Sequence, residues 1–323
     1  MGSVNDVPAH MLIEDQDFAA YLEESEPQAK VIRPPAYRDA LHRLLYSART
    51  ENRSTLPFPK TIGDVAFRPG EVSLWIGENG SGKSMLLSHC ELGWMAAGER
   101  VIELSFEMKP VRQLQRKARQ FCQGAEPAPE GVDRMLDWLD GRMWFYDQQG
   151  TVRPKQVFGI SRYAADKLKC NHVVIDSLMK CVRGEDDFNA QKDFVDALCA
   201  IARDHNTHVH LVHHVRKPSD ARGDRPPSKY DAKGSGSISD QVDNVFAVWR
   251  NRAKERAEER EAEGKVLTDA QREQLANPDV LLVCDKQRNG DWEGKIALWF
   301  NRGALQYCQD SYRRPVDFSG GML

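Results

Sequence analysis

Glu71-Val72-Ser73-Leu74-Trp75-Ile76-Gly77-Glu78-Asn79-Gly80-Ser81-Gly82-Lys83-Ser84-Met85-Leu86-Leu87 is the stretch that decides the fold. Its first seven residues form a short apolar, β-prone run, and glycine then recurs at 77, 80 and 82. From Lys83 onward Leu86, Leu87, Cys90, Trp94 and Met95 fall at helical spacing, with Gly98 as the stop. Gly77 to Ser84 matches G-x-x-x-x-G-K-[ST] between a strand and a helix, the context that phosphate binding requires. Glycines let successive backbone N–H groups converge on phosphate oxygens, and the helix N-terminus adds partial positive charge. Lys83 is expected to reach the β- and γ-phosphates, and the Ser84 hydroxyl to ligate Mg²⁺. Gly77, Glu78, Asn79, Gly80, Ser81, Gly82, Lys83 and Ser84 thus read as the cradle of a nucleoside triphosphate.

The strand–helix pattern repeats outward from this loop. RVIELSF (100–106) predicts a second strand, followed by a helix that opens near Pro110. RMWFYD (142–147), HVVIDS (172–177), THVHLVHHV (207–215) and DNVFAVW (243–249) predict four more, with helices over 154–168 and 187–204 between them. Such alternation implies an α/β fold with a mostly parallel central sheet covered on both faces. VLLVCDKQ (280–287) and KIALWF (295–300) are separated only by RNGDWEG, which predicts a C-terminal antiparallel hairpin.

One ATPase core is expected over 61–312, followed by a tail at 313–323. Residues 1–60 form an arm with a short acidic helix at 14–24, a helical pattern at 37–50 and an exposed linker, TENRSTLPFPKT (50–61). Residues 251–276, with six basic and seven acidic side chains, read as a solvated helical excursion.

Composition excludes several classes. The chain has 323 residues, 41% hydrophobic and 29% charged, so it is not disordered throughout. No apolar run approaches the roughly 18–20 residues needed to span a bilayer. The first residues lack a signal-peptide pattern, and seven scattered cysteines never fall as C-x-x-C. A cytoplasmic protein in a reducing compartment is expected, without membrane contact. The net charge of -3 conceals a segregation. Arg216, Lys217, Arg222, Arg225, Lys229 and Lys233 face only Asp220, Asp224 and Asp231 within a Pro-, Gly- and Ser-rich stretch. A mobile basic loop of this kind suits sequence-tolerant contacts to nucleic-acid phosphates.

Around the P-loop, Asp176 ends an apolar strand where open α/β sheets bind ligands and is the expected second Mg²⁺ anchor. Hydrolysis also needs a group that orients the attacking water. Ser177 follows Asp176, so no carboxylate sits beside it. Glu107, at the end of the second strand, is the first choice and the deeper Glu103 the second. His213 and His214 are adjacent in a strand, so at most one faces the nucleotide.

Taken together, GENGSGKS, SFEM (105–108), VVIDS (173–177), HHVRKP (213–218), KGSGSISDQVDN (233–244) and KQRNG (286–290) resemble the RecA-like helicase domain of the DnaB family, superfamily 4. The phage helicases and the Twinkle type belong to this group. The resemblance covers about 60–308, and a helicase domain without a primase domain is expected. It implies that Glu107 polarises the attacking water and that His214 senses the γ-phosphate. Lys286 and Arg288 match a basic pair that reaches into a neighbouring subunit's ATP site. A homo-oligomeric ring, hexameric in this family, follows. Phe300 matches an aromatic placed against adenine. The loop after His214, with Gly234 and Ser235 of the GSGS segment, matches loops that track single-stranded DNA. A primase or helicase loader is an expected partner. The helix at 14–24 matches one that docks on an adjacent subunit. A RecA- or RadA-like recombination ATPase and an ATP-dependent switch that binds protein are the competing readings.

Overall fold

The computed structural model describes residues 34–38, 41–42, 54–182, 187–215, 225–232 and 237–321. The expected helix at 14–24 and Arg216, Lys217, Arg222, Lys233, Gly234 and Ser235 lie outside the described residues.

Among the described residues nine strands form one sheet: β1 (Val72–Gly77), β2 (Val101–Ser105), β3 (Met143–Phe145), β4 (His172–Asp176), β5 (His208–His214), β6 (Asn244–Arg250), β7 (Val280–Gln287), β8 (Gly294–Asn301) and β9 (Gln306–Cys308). Their order is β3-β2-β4-β5-β1-β6-β7-β8-β9. The first six positions pair in parallel, and β7 to β9 continue antiparallel. The mostly parallel α/β sheet with an antiparallel end is the architecture expected from the strand pattern. β9, in the short segment after Gly303, carried no periodicity of its own.

Helices cover both faces because the central strands are apolar on both sides. Val72, Leu74 and Ile76 of β1 point to one face, where α4 (Pro154–Asp166) and α6 (Phe188–His205) pack through Val157, Ile160, Phe194 and Leu198. Trp75 points to the other, where α1 (Lys83–Ala96), α2 (Pro110–Phe121) and α3 (Pro129–Leu139) contribute Leu86, Trp94, Phe121 and Trp138. Proline opens α2, α3 and α4, at the position where a missing N–H costs little. The shorter helices are α5 (Leu178–Cys181), α7 (Ser237–Gln241), α8 (Arg252–Ala262) and α9 (Asp269–Ala276). Among the described residues no helix is long and apolar enough to cross a membrane.

Two expectations change. The stretch 54–61 is not an exposed linker. Leu56 and Phe58 are buried against α1, Trp94 Nε1 donates to the Thr55 carbonyl at 2.9 Å, and the Ser54 hydroxyl meets Glu99 and His172. Its prolines break helix and strand, but its two large apolar side chains still find the core. The excursion 251–276 is helical, yet it is not merely solvated, since Ala257 and Lys254 are buried at its base.

Glu103 takes a structural place. It faces the wholly buried Lys117 of α2 at 3.1 Å, and Glu91 of α1 completes the cluster at 2.5 Å. Burial alone would lower the Lys117 pKa, but the two carboxylates raise it, so the ammonium stays charged. Lys117→Ala leaves two carboxyl groups without their counter-charge. It is expected to lower the unfolding free energy in urea by about 3–5 kcal/mol. A loss below about 1 kcal/mol would show that the cluster is not a structural tie.

Candidate nucleotide site

Strand register assembles the site. Gly77 pairs with His214, and Ser105 pairs with Asp176, so the ends of β1, β5, β2 and β4 share one sheet edge. The loop 78–82 curls over that edge, with Gly80 at φ 73° and Gly82 at φ 96°, the left-handed region that glycine enters without strain. A Cβ at Gly82 would also collide with the Tyr307 hydroxyl, which donates to the Gly82 carbonyl at 3.3 Å.

Lys83 begins α1 and turns back under the loop, donating to the carbonyls of Gly77 (2.8 Å) and Glu78 (2.9 Å). Burial pushes its pKa down to about 8, against the pull of Asp176, Glu107 and Glu78. A desolvated ammonium that donates to two loop carbonyls can turn to phosphate oxygens instead. The Ser81 hydroxyl is buried there without a hydrogen-bond partner among the described residues. Ser84 Oγ donates to Asp176 Oδ2 at 2.5 Å. Burial raises the Asp176 pKa, and the Ser84 hydroxyl and Lys83 oppose that shift. One hydroxyl and one carboxylate oxygen in contact form the pair of hard donors that Mg²⁺ takes from a protein when phosphates and waters complete its shell. These residues fit a Mg-nucleotide.

Glu107 stands across the edge from the P-loop and accepts from Ser177 Oγ at 3.1 Å. His214 Nε2 lies 4.0 Å from Glu107 Oε1, and its Nδ1 lies 3.4 Å from Lys83 Nζ. The imidazole first, and then the Ser177 hydroxyl, hold the Glu107 carboxyl below the usual glutamate range despite partial burial. His213 points the opposite way and is wholly buried.

A cleft of about 1410 Å³ runs from this edge towards β9. Phe300 lies in its wall, with its ring 5.0 Å from that of Tyr307 and its N–H donating to Asp279 at 2.7 Å. Arg250, Glu255, Glu258, Arg302 and Arg313 line the same end. None of these five, nor Tyr307, was singled out from sequence, because they come from four separate segments and share no motif.

Lys286 and Arg288 are not brought to the P-loop. Lys286 lies at the end of β7 that pairs with the start of β6, and Arg288 follows that end, beside Ser73 rather than Gly77. Four residue steps of β1 therefore lie between, roughly 13 Å at about 3.3 Å per residue. Lys286 Nζ donates to the carbonyls of Ser239, Asp240 and Val242 at 2.8–2.9 Å. Arg288 pairs with Asp243 at 3.0 Å and donates to the Asp240 carbonyl at 2.9 Å. Of the expected DNA-binding bases, Arg225 and Lys229 are described. Arg225 is half exposed near Asp231 (3.6 Å), and Lys229 Nζ donates to the Asp285 carbonyl at 3.3 Å.

A family model described as AAA domain matches residues 40–220. One solved ATPase domain superposes with a TM-score of 0.67 at 14% identity, covering 87% of this chain and all of that one. A DnaB-like replicative helicase, solved in a study of its interactions with primase, superposes at 0.66 and 13% identity, over 86% of this chain and 68% of that one. At these identities the likeness is one of fold. The family match spans more than half of the chain and contains the P-loop, Glu107, Asp176 and His214, so the chain belongs to the AAA domain family, as an ATP hydrolase built on the RecA-like core that DnaB-type helicases share.

Proposed function

We propose that the chain is a ring-forming DNA helicase that moves along single-stranded DNA by hydrolysing Mg-ATP at subunit interfaces. The observation that carries this reading is the separation of two half-sites. Lys83, Ser84, Glu107, Asp176 and His214 stand at one sheet edge, while Lys286 and Arg288 stand at the other. A basic pair out of reach of its own triphosphate serves the site of a second copy docked against it. Repetition of one such heterologous contact closes a ring, a hexamer in the family that the sequence resembles.

Within each site the P-loop amides and Lys83 hold the triphosphate, and Phe300 takes the base. Ser84 and Asp176 hold Mg²⁺, which when bound neutralises charge on the β- and γ-phosphate oxygens. Glu107 orients and deprotonates the attacking water. His214, between Lys83 and Glu107, reports the γ-phosphate to Glu107. Arg288, with Lys286, offsets transition-state charge from the neighbouring copy. Arg216, Lys217, Arg222, Arg225, Lys229 and Lys233, with Gly234 and Ser235, follow the strand's phosphates. Their segment begins two residues after His214, which supports coupling between nucleotide state and strand position. A primase or a helicase loader is the proposed protein partner, and the cytoplasm its proposed site of action.

The deciding experiment is strand displacement on forked DNA with tails of opposite polarity, with ATP and Mg²⁺. Displacement on one tail polarity supports the helicase. No displacement, together with ATP turnover indifferent to single-stranded DNA, would favour a switch that binds protein.

Two variants probe the parts. Glu107→Gln is expected to lower kcat by roughly 10²–10⁴ while nucleotide still binds. Because the Glu107 pKa is depressed, the base stays ionised as pH falls through the ordinary glutamate range. The acidic limb of the kcat profile should therefore lie below that range. Unchanged turnover in Glu107→Gln would remove Glu107 from the role. The triple variant Arg222→Ala, Arg225→Ala, Lys229→Ala should weaken single-strand binding and flatten the log–log salt slope by about 2, at roughly 0.7 per phosphate contact. An unaltered slope would move the DNA site elsewhere.

A further inference from the structure

The register of β6 with β7 makes the excursion between them topologically unnecessary. Arg250 pairs directly with Val280 in an antiparallel ladder, so a turn of about two to five residues would join the strands. The chain instead inserts residues 251–279, including α8 and α9, and lays α8 along the nucleotide cleft.

The insertion is anchored and then reaches inward. Lys254, nearly wholly buried at the base of α8, donates to the Asn277 carbonyl at 2.6 Å and pairs with Asp279 at 2.7 Å. Asp279 also accepts from Arg313 Nε and Nη2 at 3.1–3.2 Å and from the N–H of Phe300, tying the insertion to β8 and to the C-terminal segment. The next residue along α8, Glu255, grips Arg250, and Arg250 Nη1 donates to the carbonyl of Gly80 in the P-loop at 3.2 Å. The next turn brings Glu258 to Arg302 at 2.9 Å and to Arg313 at 3.6 Å. Two carboxylates on one helix therefore hold three arginines from β6, the turn after β8 and the C-terminal segment. Every one of these five side chains lines the cleft.

We infer that α8 is a latch on the nucleoside end of the ATP site, in which Glu255 and Glu258 are positioning residues that slow release of the nucleoside diphosphate. Glu255 acts through Arg250 on the P-loop, and Glu258 acts through Arg302 and Arg313 on the wall that carries Phe300. The inference rests on the proposed ATPase reading of the same cleft. Both ion-pair groups are partly exposed, so each contributes modestly and is screened by salt. Their joint effect is expected in the rate of exchange rather than in chemistry.

The test is stopped-flow release of a fluorescent ADP analogue in Mg²⁺, chased with excess ATP, for the full chain and the double variant Glu255→Gln, Glu258→Gln. Release is expected to quicken by about three- to tenfold, the range that two such ion-pair groups can supply. Added salt should quicken release in the unmodified chain and do so less in the variant. Circular dichroism melting gives the control for folding, and Glu258→Gln alone, at a more exposed position, serves if the double variant is unstable. Release at the unmodified rate from a folded variant overturns the latch. If the unmodified chain fails to bind the analogue, or Lys83→Ala binds it equally well, the ATPase reading itself fails.

Discussion

Lys83→Ala is expected to abolish ATP turnover and to weaken nucleotide binding at neutral pH. The ammonium lies nearly wholly buried under the P-loop, held by two loop carbonyls that a triphosphate would displace or share. No other lysine among the described residues reaches that position, and alanine leaves the phosphate oxygens without their counter-charge. The pH dependence has a definite sign. Burial holds the free Lys83 pKa near 8, and a bound triphosphate favours the charged form. Affinity for Mg-ADP should therefore be full below pH 8 and fall above it, by up to tenfold per pH unit. Binding should take up protons, which titration calorimetry in buffers of different ionisation enthalpy measures directly. Turnover by Lys83→Ala within tenfold of the unmodified chain would sink the P-loop assignment.

Arg288→Ala is expected to lower kcat by roughly 10³–10⁵, the range of a trans-acting arginine, with nucleotide affinity nearly unchanged. Misfolding is a poor explanation for such a loss. The Arg288–Asp243 pair is close to half exposed on the arginine side, and pairs of that kind are worth about 1 kcal/mol or less. Mixing with Glu107→Gln subunits separates trans from cis action. In a mixed ring, an interface that joins the intact Glu107 of one copy to the intact Arg288 of another is complete. Turnover should reappear at intermediate mixing ratios and vanish at either pure end. If no ratio restores it, Arg288 does not act across an interface. The contacts of Lys286 and Arg288 with the end of α7 add a physical corollary. That helix follows the 233–236 segment in sequence, and five carbonyl hydrogen bonds tie the pair to it and to Val242 just beyond.

The P-loop and its flanks are legible in the sequence because their information is local. Seven residues of apolar strand, three glycines and a helix start define β1, the loop and α1 without reference to anything distant. β7 and β8 were legible for the same reason, since RNGDWEG can only turn. Buried apolar runs marked β4 and β5, and the parallel arrangement put Asp176 and His214 at the P-loop edge. Sequence was weakest where side chains from far-apart segments meet. Leu56 and Phe58 lie in a proline-rich stretch with no periodicity, and only the cavity beside α1 and Trp94 makes them core residues. Glu103 and Glu107 look alike, four residues apart along one stretch of sequence. One is buried against Lys117, the other meets Ser177 and His214, and the placement of α2 makes the difference.

The excursion shows the same division. Its alternating charges read as a solvated face, and helicity was all that periodicity could supply. Which charges are solvated depends on what lies opposite, and Arg250, Arg302 and Arg313 arrive there only through strand order and register. The sequence by itself determined that this chain is an α/β protein with a P-loop between a strand and a helix, because backbone curvature and helix starts are properties of contiguous residues. Only the tertiary structure decided which side chains meet around Phe300 in the cleft, and that Lys286 and Arg288 stand at the other end of β1 from their own P-loop. Those facts depend on which strands are neighbours and which ends face the same way, and that arrangement is set by packing across the whole sheet.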